Sequence, residues 1–585
     1  MLLAARSTVA LHRLLDTVPA LSGDDRITRL FTLVPGSDFG VDVLAAVEAV
    51  GGRLVPWSEA CARSYDLILT ASPKGDLRLL RGRHVLLPHG AGYNKSIPGE
   101  GSDPDSASGL DPAFLLRADD GTGAAPAPVA LHAVAHPDQV ARIAAADRRA
   151  ADRAKVVGDP TLDRLLASRP LRERYRAALG TGARRLLVLV STWGPESLLR
   201  RFPELPARLA ARLPQDEYQL ALVVHPNEHS LLGTYDLTER LAPALDAGLV
   251  LAGPHEEWAS VLIAADALVT DHGSTALYYC ATEDRPVVGV HQDGAELIPG
   301  SPMHTLLDRI PRLGAPDAAP AAVEEALRAY RPGTGREAAG TAFAQQGRAL
   351  RLLRTELYAL LGLTPPARTA PPRLLPEPRP AERVPAAFDV DTAVATGTGT
   401  GTGTDGVAAR VRVARRPVGL GAPGDHLAAE DGSASEALVR SAGVLYRRPL
   451  PAADASSGSA WTADGWMRHA LSAYPGCRTA AAVLAPDLFL LRTRPRTRTR
   501  ASTGAAEASG AYAVQVAPLA EDGRVTRADP AAAVSAVHAW LLGDSPDPDP
   551  VSLALAPVRL SCVIGDRAFA LALRPATDAE AAAPF

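Results

Sequence analysis

Three segments combine a histidine with residues that can hold an anion, and each begins where a short apolar run ends. In the first, His89 and Gly90 follow the run at residues 86–87, and Lys95 comes shortly after them. An imidazole titrates near neutral pH and can take up a proton, and glycine lets backbone amides approach a phosphate closely. This segment predicts a general base, His89, beside an anion-binding loop that contains Gly90 and Lys95.

The second segment follows the apolar pair Val223 and Val224. It begins with His225, and Pro226 then stops the strand and fixes the direction of the histidine. His225 could donate a hydrogen bond to a phosphate oxygen, or it could simply cap the end of a strand. We predict His225 as a catalytic candidate and Pro226 as part of the binding loop, with capping as the alternative.

The third segment, residues 271–275, reads Asp-His-Gly-Ser-Thr and follows an apolar run. The order of strand, glycine turn and helix start places the free amides and hydroxyls of Ser274 and Thr275 where a diphosphate could sit. The alternative is an N-cap that only stabilises its own helix. From this segment we predict Asp271 as a catalytic candidate and His272, Gly273, Ser274 and Thr275 as nucleotide-binding residues.

These segments meet only if their strands lie parallel in open sheets, and the apolar pattern predicts that arrangement. Short β-rich runs alternate with Ala/Leu-rich helical stretches in two successive series. We therefore predict two Rossmann-like domains that face a cleft, an acceptor-side domain at 1–165 and a nucleotide-donor domain at 166–363. A long final helix, Arg336 to Leu361, should pack back across both. Met1 to Leu21 is expected to form an amphipathic helix.

The rest of the chain changes in composition. Residues 364–435 contain a proline-rich stretch and an alternating Thr-Gly tract, which cannot bury enough apolar surface to fold and predict a disordered linker. An apolar pattern returns in residues 436–585. A helix at Val534 to Leu542 and a hairpin with its turn at Gly565 and Asp566 predict a small α+β region there.

Composition narrows the functional classes. The net charge of -4 gives no global electrostatic reason to expect nucleic acid as a partner, so any anion site must be local. The four cysteines are widely spaced and form no CxxC pair, which argues against a zinc ribbon or a disulfide framework and favours a cytoplasmic location. No uninterrupted apolar run is long enough to span a membrane, and peripheral contact with the inner face of the membrane stays open.

Taken in order, the segments resemble the CDP-glycerol glycerophosphotransferase family, the teichoic-acid polymerase-like group of GT-B proteins that borders the nucleotide-sugar 2-epimerases. The motifs are His89-Gly90, Ser191-Thr192-Trp193-Gly194, His225-Pro226, Asp271-His272-Gly273-Ser274, Asp284-Arg285-Pro286, and the turn Gly158-Asp159-Pro160 with Asp163. The runs around His89, Trp193 and His272 are more similar still to a set of actinobacterial relatives. The chain departs from the polymerases at His272 and Gly273, where they have Tyr-Ser, and at Gly194, where a basic residue is common.

The resemblance implies a GT-B-like α/β fold and a transferase that moves a glycerophosphate or glycosyl group from a nucleotide-diphosphate donor to a hydroxyl acceptor. His89 would take the acceptor proton, and His225, Ser274 and Thr275 would hold the diphosphate, with Thr192 and Trp193 completing the site. The donor would be CDP-linked or UDP-linked, and lipid-linked acceptors of cell-envelope synthesis are among the candidates. No metal or other cofactor is expected.

Two other interpretations stay open. A nucleotide-sugar 2-epimerase-like enzyme would need a carboxylate pair that faces the sugar. A degenerate GT-B scaffold would bind a nucleotide or a partner without catalysis. A shared cleft wall for His89, His225 and Ser274 favours binding or catalysis, whereas scattered positions favour a scaffold.

Overall fold

The computed structural model describes residues 1–36, 41–87, 90–96, 129–146, 148–290, 294–314, 318–368, 370–396, 407–449, 461–494, 510–543 and 556–585. The strands are β1 Leu2–Ala5, β2 Leu30–Leu33, β3 Arg53–Leu54, β4 Ser64–Thr70, β5 Arg81–Leu86, β6 Val129–Val134, β7 Ala154–Val156, β8 Arg185–Ser191, β9 Tyr218–Val224, β10 Val250–Leu251, β11 Ala267–Thr270, β12 Val287–Gly289, β13 Ala387–Thr396, β14 Val407–Pro417, β15 His426–Glu430, β16 Val444–Arg447, β17 Thr479–Ala485, β18 Leu488–Thr493, β19 Tyr512–Val516, β20 Leu519–Glu521, β21 Arg524–Thr526, β22 Val558–Ile564 and β23 Arg567–Pro575.

The helices are α1 Thr8–Thr17, α2 Val41–Ala49, α3 Trp57–Ala62, α4 Pro137–Ala146, α5 Arg148–Ala151, α6 Pro160–Ser168, α7 Arg172–Ala178, α8 Leu198–Arg201, α9 Leu205–Arg212, α10 Pro226–Asp246, α11 Glu257–Ala264, α12 Thr275–Thr282, α13 Pro302–Leu307, α14 Ala319–Ala329, α15 Thr334–Gly340, α16 Ala349–Leu361, α17 Glu436–Ser441, α18 Ala463–Ala473, α19 Pro530–Leu542 and α20 Asp578–Ala581. Within the described ranges, none of the helices combines the length and the apolar character that a membrane crossing requires.

The N-terminal half of the chain contains two parallel sheets. The first has the strand order β3-β2-β1-β4-β5-β6-β7, and the second has the order β10-β9-β8-β11-β12. In each sheet the order reverses between two central strands, β1 and β4 in one and β8 and β11 in the other. Such a switch point leaves a crevice beyond the carboxyl ends of the strands. The predicted GT-B-like fold of two Rossmann-type domains is confirmed.

Strand β1 lies at the centre of the first sheet, whereas we expected Met1 to Leu21 to form one helix. Every residue of β1 is buried, and a strand covered on both faces has no polar alternation to distinguish it from a buried helix. The helix α1 begins only after Ser7, whose Oγ accepts a hydrogen bond from Ala10 N at 3.3 Å. The residues between β1 and the middle of α1 therefore lie at the crevice.

The predicted single helix Arg336 to Leu361 is wrong: the segment forms two helices, α15 and α16, because Gln345 and Gly347 between them have positive φ values that an α-helix cannot contain. Helix α16 packs back against the first domain. Its Leu353 and Leu357 are buried in the core that contains Leu3 and Leu11. The carboxylate of Asp163, which follows the connection between the domains, accepts hydrogen bonds from Gly347 N at 2.7 Å and Leu350 N at 3.2 Å. These bonds hold the start of α16 beside α6.

The C-terminal domain is a closed barrel of nine strands in the order β13-β14-β22-β23-β19-β18-β17-β16-β15. Helix α19 lies inside it, with ten buried residues, eight of which share one core with the barrel strands. A helix that is apolar on all sides is stable only when other elements surround it. The predicted helix and hairpin of this region are α19 and the pair β22 and β23.

Three of the barrel strands, β13, β14 and β15, lie in the segment that we predicted to be linker, so the domain begins earlier than position 436. In β14, Val411 and Val413 are buried whereas Arg410 and Arg412 are exposed, which is the alternation of a half-buried strand. Neighbouring proline and glycine residues dominate the composition and obscure this pattern. The Thr-Gly tract after Thr396 lies outside the described residues.

The proline-rich residues 370–386, here called the strap, have no helix or strand but are fixed along the second domain. Tyr175 Oη donates to Leu375 O at 2.9 Å, and Arg379 Nε donates to Glu257 Oε1 at 2.8 Å. Leu375 is buried in the core of the second domain. The strap therefore connects the Rossmann pair to the barrel as an ordered segment.

The barrel docks on the second domain at the amino ends of its strands, the side opposite the crevice. Gln215 N, just before β9, donates to Arg415 O at 2.8 Å, and Arg567 Nη2 donates to Ala183 O, just before β8, at 2.8 Å. The barrel therefore lies at the opposite end of β8 and β9 from their carboxyl ends.

Candidate active site

A cleft of about 400 Å³ lies between the two Rossmann-type domains, beyond the carboxyl ends of their central strands. The loops after β1, β4 and β5 form one wall, and the loops after β8, β9, β10 and β11 form the other. The sequence-predicted residues in its lining are Gly90, Lys95, Thr192, Trp193, His225, Pro226, His272, Gly273, Ser274 and Thr275. His89 lies outside the described residues.

The start of helix α12 presents Ser274 and Thr275 to the cleft. Ser274 stands at the N-cap position, but its side chain makes no capping hydrogen bond. In this first turn Ala276 N and Leu277 N already donate to Gly273 O and Ser274 O, and the helix start carries partial positive charge, which favours an anion. Gly90 approaches from the other domain, because a Cβ built there would lie 3.6 Å from Ser274 Oγ.

His225 caps helix α10 and also lines the cleft. Its Nδ1 accepts a hydrogen bond from Asn227 N at 3.1 Å. When Nδ1 accepts, the neutral ring carries its proton on Nε2, and that nitrogen is the donor. The capping role and a donor role toward a ligand are therefore compatible in this histidine. Its ring centroid lies 6.3 Å from that of Trp193.

Asp271 is buried and is not part of the cleft lining. Its Oδ2 accepts from Thr192 N and Leu198 N, both at 2.8 Å, and its Oδ1 accepts from Gly273 N at 2.9 Å. This carboxylate ties the loop after β8 to the loop after β11. The geometry makes Asp271 a positioning residue for Thr192 and Gly273.

Lys95 crosses from the first domain to the second. Its Nζ lies 3.0 Å from Glu296 Oε2 and 4.3 Å from the ring centroid of Trp193, and it donates to Trp193 O. His272 Nε2 lies 3.0 Å from the same oxygen of Glu296. Burial disfavours the charge on Glu296, but His272 and Lys95 outweigh it and lower the pKa of this carboxyl. An anionic ligand must therefore compete with Glu296 for the lysine.

Glu196, His272 and Glu296 are the residues of this site that could hold a metal ion, since one ligand atom of each lies within 4.8 Å of the others. The ammonium of Lys95 already contacts Glu296, however, and a second cation would be repelled. Glu196 Oε1 accepts from Ala295 N at 2.7 Å, so this carboxylate is also engaged. The donor set fits an internally balanced network better than a metal site.

A short bridge beside Lys95 joins the two domains. Ser96 N donates to Glu296 O and Ile298 N donates to Asn94 O, both at 2.8 Å. Asn94 Oδ1 accepts from Met303 N at 3.0 Å. Asn94 and Glu296 were absent from the sequence predictions, because loop residues that pair across domains leave no periodic pattern.

Gly194, where the family that the chain resembles often has a basic residue, lies against the contact between Lys95 and Glu296. A Cβ built on Gly194 would lie 2.9 Å from Lys95 Nζ and 2.9 Å from Glu296 Oε1. The ammonium of Lys95, which belongs to the first domain, therefore occupies the space beside Gly194.

The floor of the cleft contains residues that the sequence analysis did not select. Arg13 Nη1 donates to Tyr278 Oη at 2.7 Å, and Tyr278 Oη donates to Asp159 Oδ2 at 2.6 Å. Burial raises the pKa of Tyr278 well above its ordinary value, so the phenol keeps its proton. Asp159 belongs to the interdomain turn, whose motif was recognised, whereas Arg13 was hidden by the failure to predict β1.

A second polar group, at the strap end of the cleft, was also missed. Arg164 Nη1 lies 3.0 Å from Asp16 Oδ1 and 2.6 Å from Glu256 Oε1. The rings of His12 and His255 stack with centroids 5.3 Å apart. Burial lowers the pKa of His12 to about 4, so the imidazole is neutral at physiological pH.

No protein-family model and no curated protein matches the chain. Among solved structures, the wall teichoic acid polymerase TagF is 12% identical, with a TM-score of 0.43 over 62% of this chain and 89% of the other. Anabaena HepE in complex with UDP and glucose is 15% identical, with a TM-score of 0.38 over 62% of this chain and 99% of the other. The UDP-GlcNAc 2-epimerase from Neisseria meningitidis bound to UDP-GlcNAc is 10% identical, with a TM-score of 0.40 over 61% and 99%. These values are too low for a ligand or a reaction to be transferred to this chain.

Proposed function

We propose that this chain is a transferase that moves a glycerophosphate or glycosyl group from a CDP-linked or UDP-linked donor to a hydroxyl acceptor. The observation that supports it best is the convergence of His225 and the amide end of α12 in one cleft between two Rossmann-type domains. A cleft at two topological switch points that is lined by donors suits a nucleotide diphosphate. Cell-envelope synthesis at the cytoplasmic side, with a lipid-linked acceptor, is the setting that the family resemblance suggests.

In this proposal the diphosphate lies against the first turn of α12, where Ser274 and Thr275 add hydroxyl donors. His225 donates from Nε2, and Lys95 adds positive charge. Because these donors are fixed before the reaction, they stabilise the charge that develops on the leaving group. No step requires a metal ion.

The acceptor hydroxyl attacks either the β-phosphorus, displacing the nucleoside monophosphate, or the anomeric carbon, displacing the nucleoside diphosphate. His89 takes the acceptor proton in both cases. This role is supported by Gly90, the residue that follows His89 in the sequence, because Gly90 lines the cleft and approaches Ser274. The role of His89, like the resemblance to actinobacterial proteins, remains a prediction.

The epimerase interpretation is less well supported. Asp16 and Glu256 are the acidic side chains in the cleft lining, and both form ion pairs with Arg164. Carboxylates held in this way are poorly suited to exchange protons with a sugar. A scaffold without catalysis would still bind a nucleotide in the same cleft.

The test is a thermal-shift screen of the full chain against CMP, CDP, UDP and GDP. A ligand at a hundredfold excess over its Kd should stabilise the native state by about 2.7 kcal/mol. Ser274→Ala and His225→Ala should abolish the shift, whereas the exposed Ser441→Ala and His469→Ala in the barrel should leave it intact. A nucleotide that binds without any turnover of its activated donor would favour the scaffold. No response to any nucleotide would exclude the transferase and favour a scaffold that binds a partner.

A further inference from the structure

We propose that the strap end of the cleft recognises hydroxyl groups on an uncharged part of the ligand, through a hydroxyl pole formed by His12, His255 and Glu256. This inference rests on the proposed function, in which the α12 end of the same cleft holds the diphosphate. All three residues line the cleft. His12 belongs to the first domain and the other two to the second, so a ligand there contacts both domains.

The charges around the hydroxyl pole balance. Glu256 contacts Arg164 and also Arg373 of the strap, and Asp16 contacts Arg164. Two carboxylates and two guanidinium groups thus cancel. A site without net charge gains nothing from a charged ligand group, and it favours a neutral one that donates and accepts hydrogen bonds.

His12 supplies an unsatisfied donor and acceptor. Both of its ring nitrogens are buried, and neither has a hydrogen-bond partner among the residues that the structure describes. A neutral imidazole carries one N–H and one bare nitrogen, which suits a hydroxyl as either partner. Because a buried polar group without a partner is costly, a ligand that satisfies His12 gains affinity.

Glu256 supplies a directed acceptor. Its ion pairs with Arg164 and Arg373 both end on Oε1, which leaves Oε2 as the oxygen that can accept from a ligand hydroxyl. Arg373 is therefore a positioning residue, and the strap is part of the site. A carboxylate oxygen beside a neutral imidazole matches two adjacent hydroxyls.

Apolar groups complete the hydroxyl pole. Trp258 and Leu375 also line the cleft; Trp258 lies in α11, two residues after Glu256, and Leu375 lies in the strap, two residues after Arg373. The carbon face of a sugar or polyol can pack on such side chains while its hydroxyls meet the polar ones. The ligand chemistry is therefore a diol, either the ribose of the nucleotide or the transferred sugar or polyol.

The experiment measures the Kd of the full chain by calorimetry for inorganic pyrophosphate, CDP, 2′,3′-dideoxy-CDP and CDP-glycerol, and for UDP, 2′,3′-dideoxy-UDP and UDP-glucose. The variant His12→Phe keeps a ring against His255 but removes both hydrogen-bonding nitrogens. Arg373→Gln is the second variant, since Arg373 is half exposed and its loss should not impair folding. His469→Phe in the barrel is the matched control.

Both variants should weaken the diol-bearing ligand by about three- to tenfold and leave pyrophosphate unchanged. If the ribose is bound, CDP or UDP is affected and its dideoxy form is not. If the transferred group is bound, only CDP-glycerol or UDP-glucose is affected. Either pattern supports the hydroxyl pole and identifies its source.

Three results would overturn the proposed hydroxyl pole. Equal weakening of pyrophosphate would mean that His12 acts on the diphosphate end or on the whole fold. Equal weakening of CDP and dideoxy-CDP would mean that the base is read instead of a diol, and no weakening would mean that the pole does not bind. If neither pyrophosphate nor any nucleotide binds, the proposed function is overturned, and this inference with it.

Discussion

Tyr278 Oη donates a 2.6 Å hydrogen bond to Asp159 Oδ2, and this bond joins helix α12 at the cleft to the turn between the domains. The other oxygen of Asp159 caps α6 by accepting from Thr161 N at 2.8 Å. Arg13 of α1 donates to the same phenol. Three helices, α1, α6 and α12, are therefore fixed to one another beneath the cleft by one buried hydroxyl.

Replacing Tyr278 by phenylalanine removes only that hydroxyl. The buried Asp159 and Arg13, whose side chain is 13% exposed, each lose a partner, so the free energy of unfolding should fall by about 2 kcal/mol. Urea denaturation of the full chain measures this change. Tyr235→Phe is the control, because Tyr235 is 76% exposed, and it should change the stability by less than about 0.5 kcal/mol. Equal effects of the two changes would contradict the role of the Tyr278 hydroxyl.

Asp271→Asn tests whether this buried residue positions the loops or takes part in chemistry. Both carboxylate oxygens of Asp271 accept hydrogen bonds, and together they hold three backbone amides. Asparagine replaces one of these oxygens with an amide nitrogen, which can only donate. Stability should fall by about 2 kcal/mol or more, together with nucleotide affinity. Asp236→Asn, on an exposed face of α10, should change neither. Loss of turnover in a protein of unchanged stability and affinity would indicate a direct catalytic role instead.

The Rossmann-type domains could be predicted because most strands of their sheets, although not β1, are short apolar runs that alternate with helices. Once parallel sheets are expected, residues that follow such runs must collect at one edge, and His225, Trp193 and Ser274 do line one cleft. The closing helix was predicted only in part, because the predicted single helix Arg336 to Leu361 is interrupted at residues 341–348 and only its second part is α16. These inferences need only local sequence and the topology of parallel strands.

The rest depends on contacts that local sequence does not encode. The Lys95–Glu296 pair joins residues of different domains, and the strap places Leu375 in the cleft wall from far along the chain. His12 was not predicted as a cleft residue because β1, which is buried on both faces, was taken for part of a helix. The barrel strands were masked by the proline and glycine around them, although the alternation in β14 was present.

Gly194→Ala should disturb the Lys95–Glu296 contact. The residue has a φ of 95°, which costs a non-glycine residue about 1–2 kcal/mol, and its new Cβ would also meet both charged groups. Gly182→Ala isolates the backbone cost, because Gly182 has a φ of 57° and open space around it. We expect Gly194→Ala to be the more destabilising in thermal denaturation and to be alone in weakening nucleotide binding. Equal results would mean that Lys95 is not held there.

His132 should make the first domain sensitive to acid. Burial lowers the pKa of His132 to about 4, below the value of 6.5 for an exposed histidine. Between these values the unfolded chain binds a proton that the folded chain does not, so stability is complete above about pH 6.5 and is lost as the pH falls. At about pH 5 the loss from this residue is on the order of 2 kcal/mol.

The substitution His132→Leu should remove that share of the acid sensitivity. The measurement is the fall in denaturation midpoint from about pH 7.5 to about pH 5, which should be smaller in the variant than in the parent chain. The exposed His469→Leu should leave the fall unchanged. Part of the sensitivity will remain, since burial also lowers the pKa of His538 to about 3 and that of His426 to about 4. An identical fall in parent and variant would show that His132 is charged in the folded state.

Arg415 should hold the barrel both to its own central helix and to the second Rossmann-type domain. It is buried, its Nη2 lies 2.8 Å from Asp529 Oδ2 at the N-cap of α19, and its Nε donates to Asp216 Oδ2 at 2.8 Å. Removing one partner of a buried ion pair leaves uncompensated charge, so Arg415→Met should destabilise the chain by about 3–5 kcal/mol. It should also expose the strap to protease. Arg416→Met breaks the neighbouring, more accessible pair with Asp391 and should cost at most about 1 kcal/mol. If the two variants resist denaturant and protease equally, contacts other than the ion pairs of Arg415 must dock the barrel.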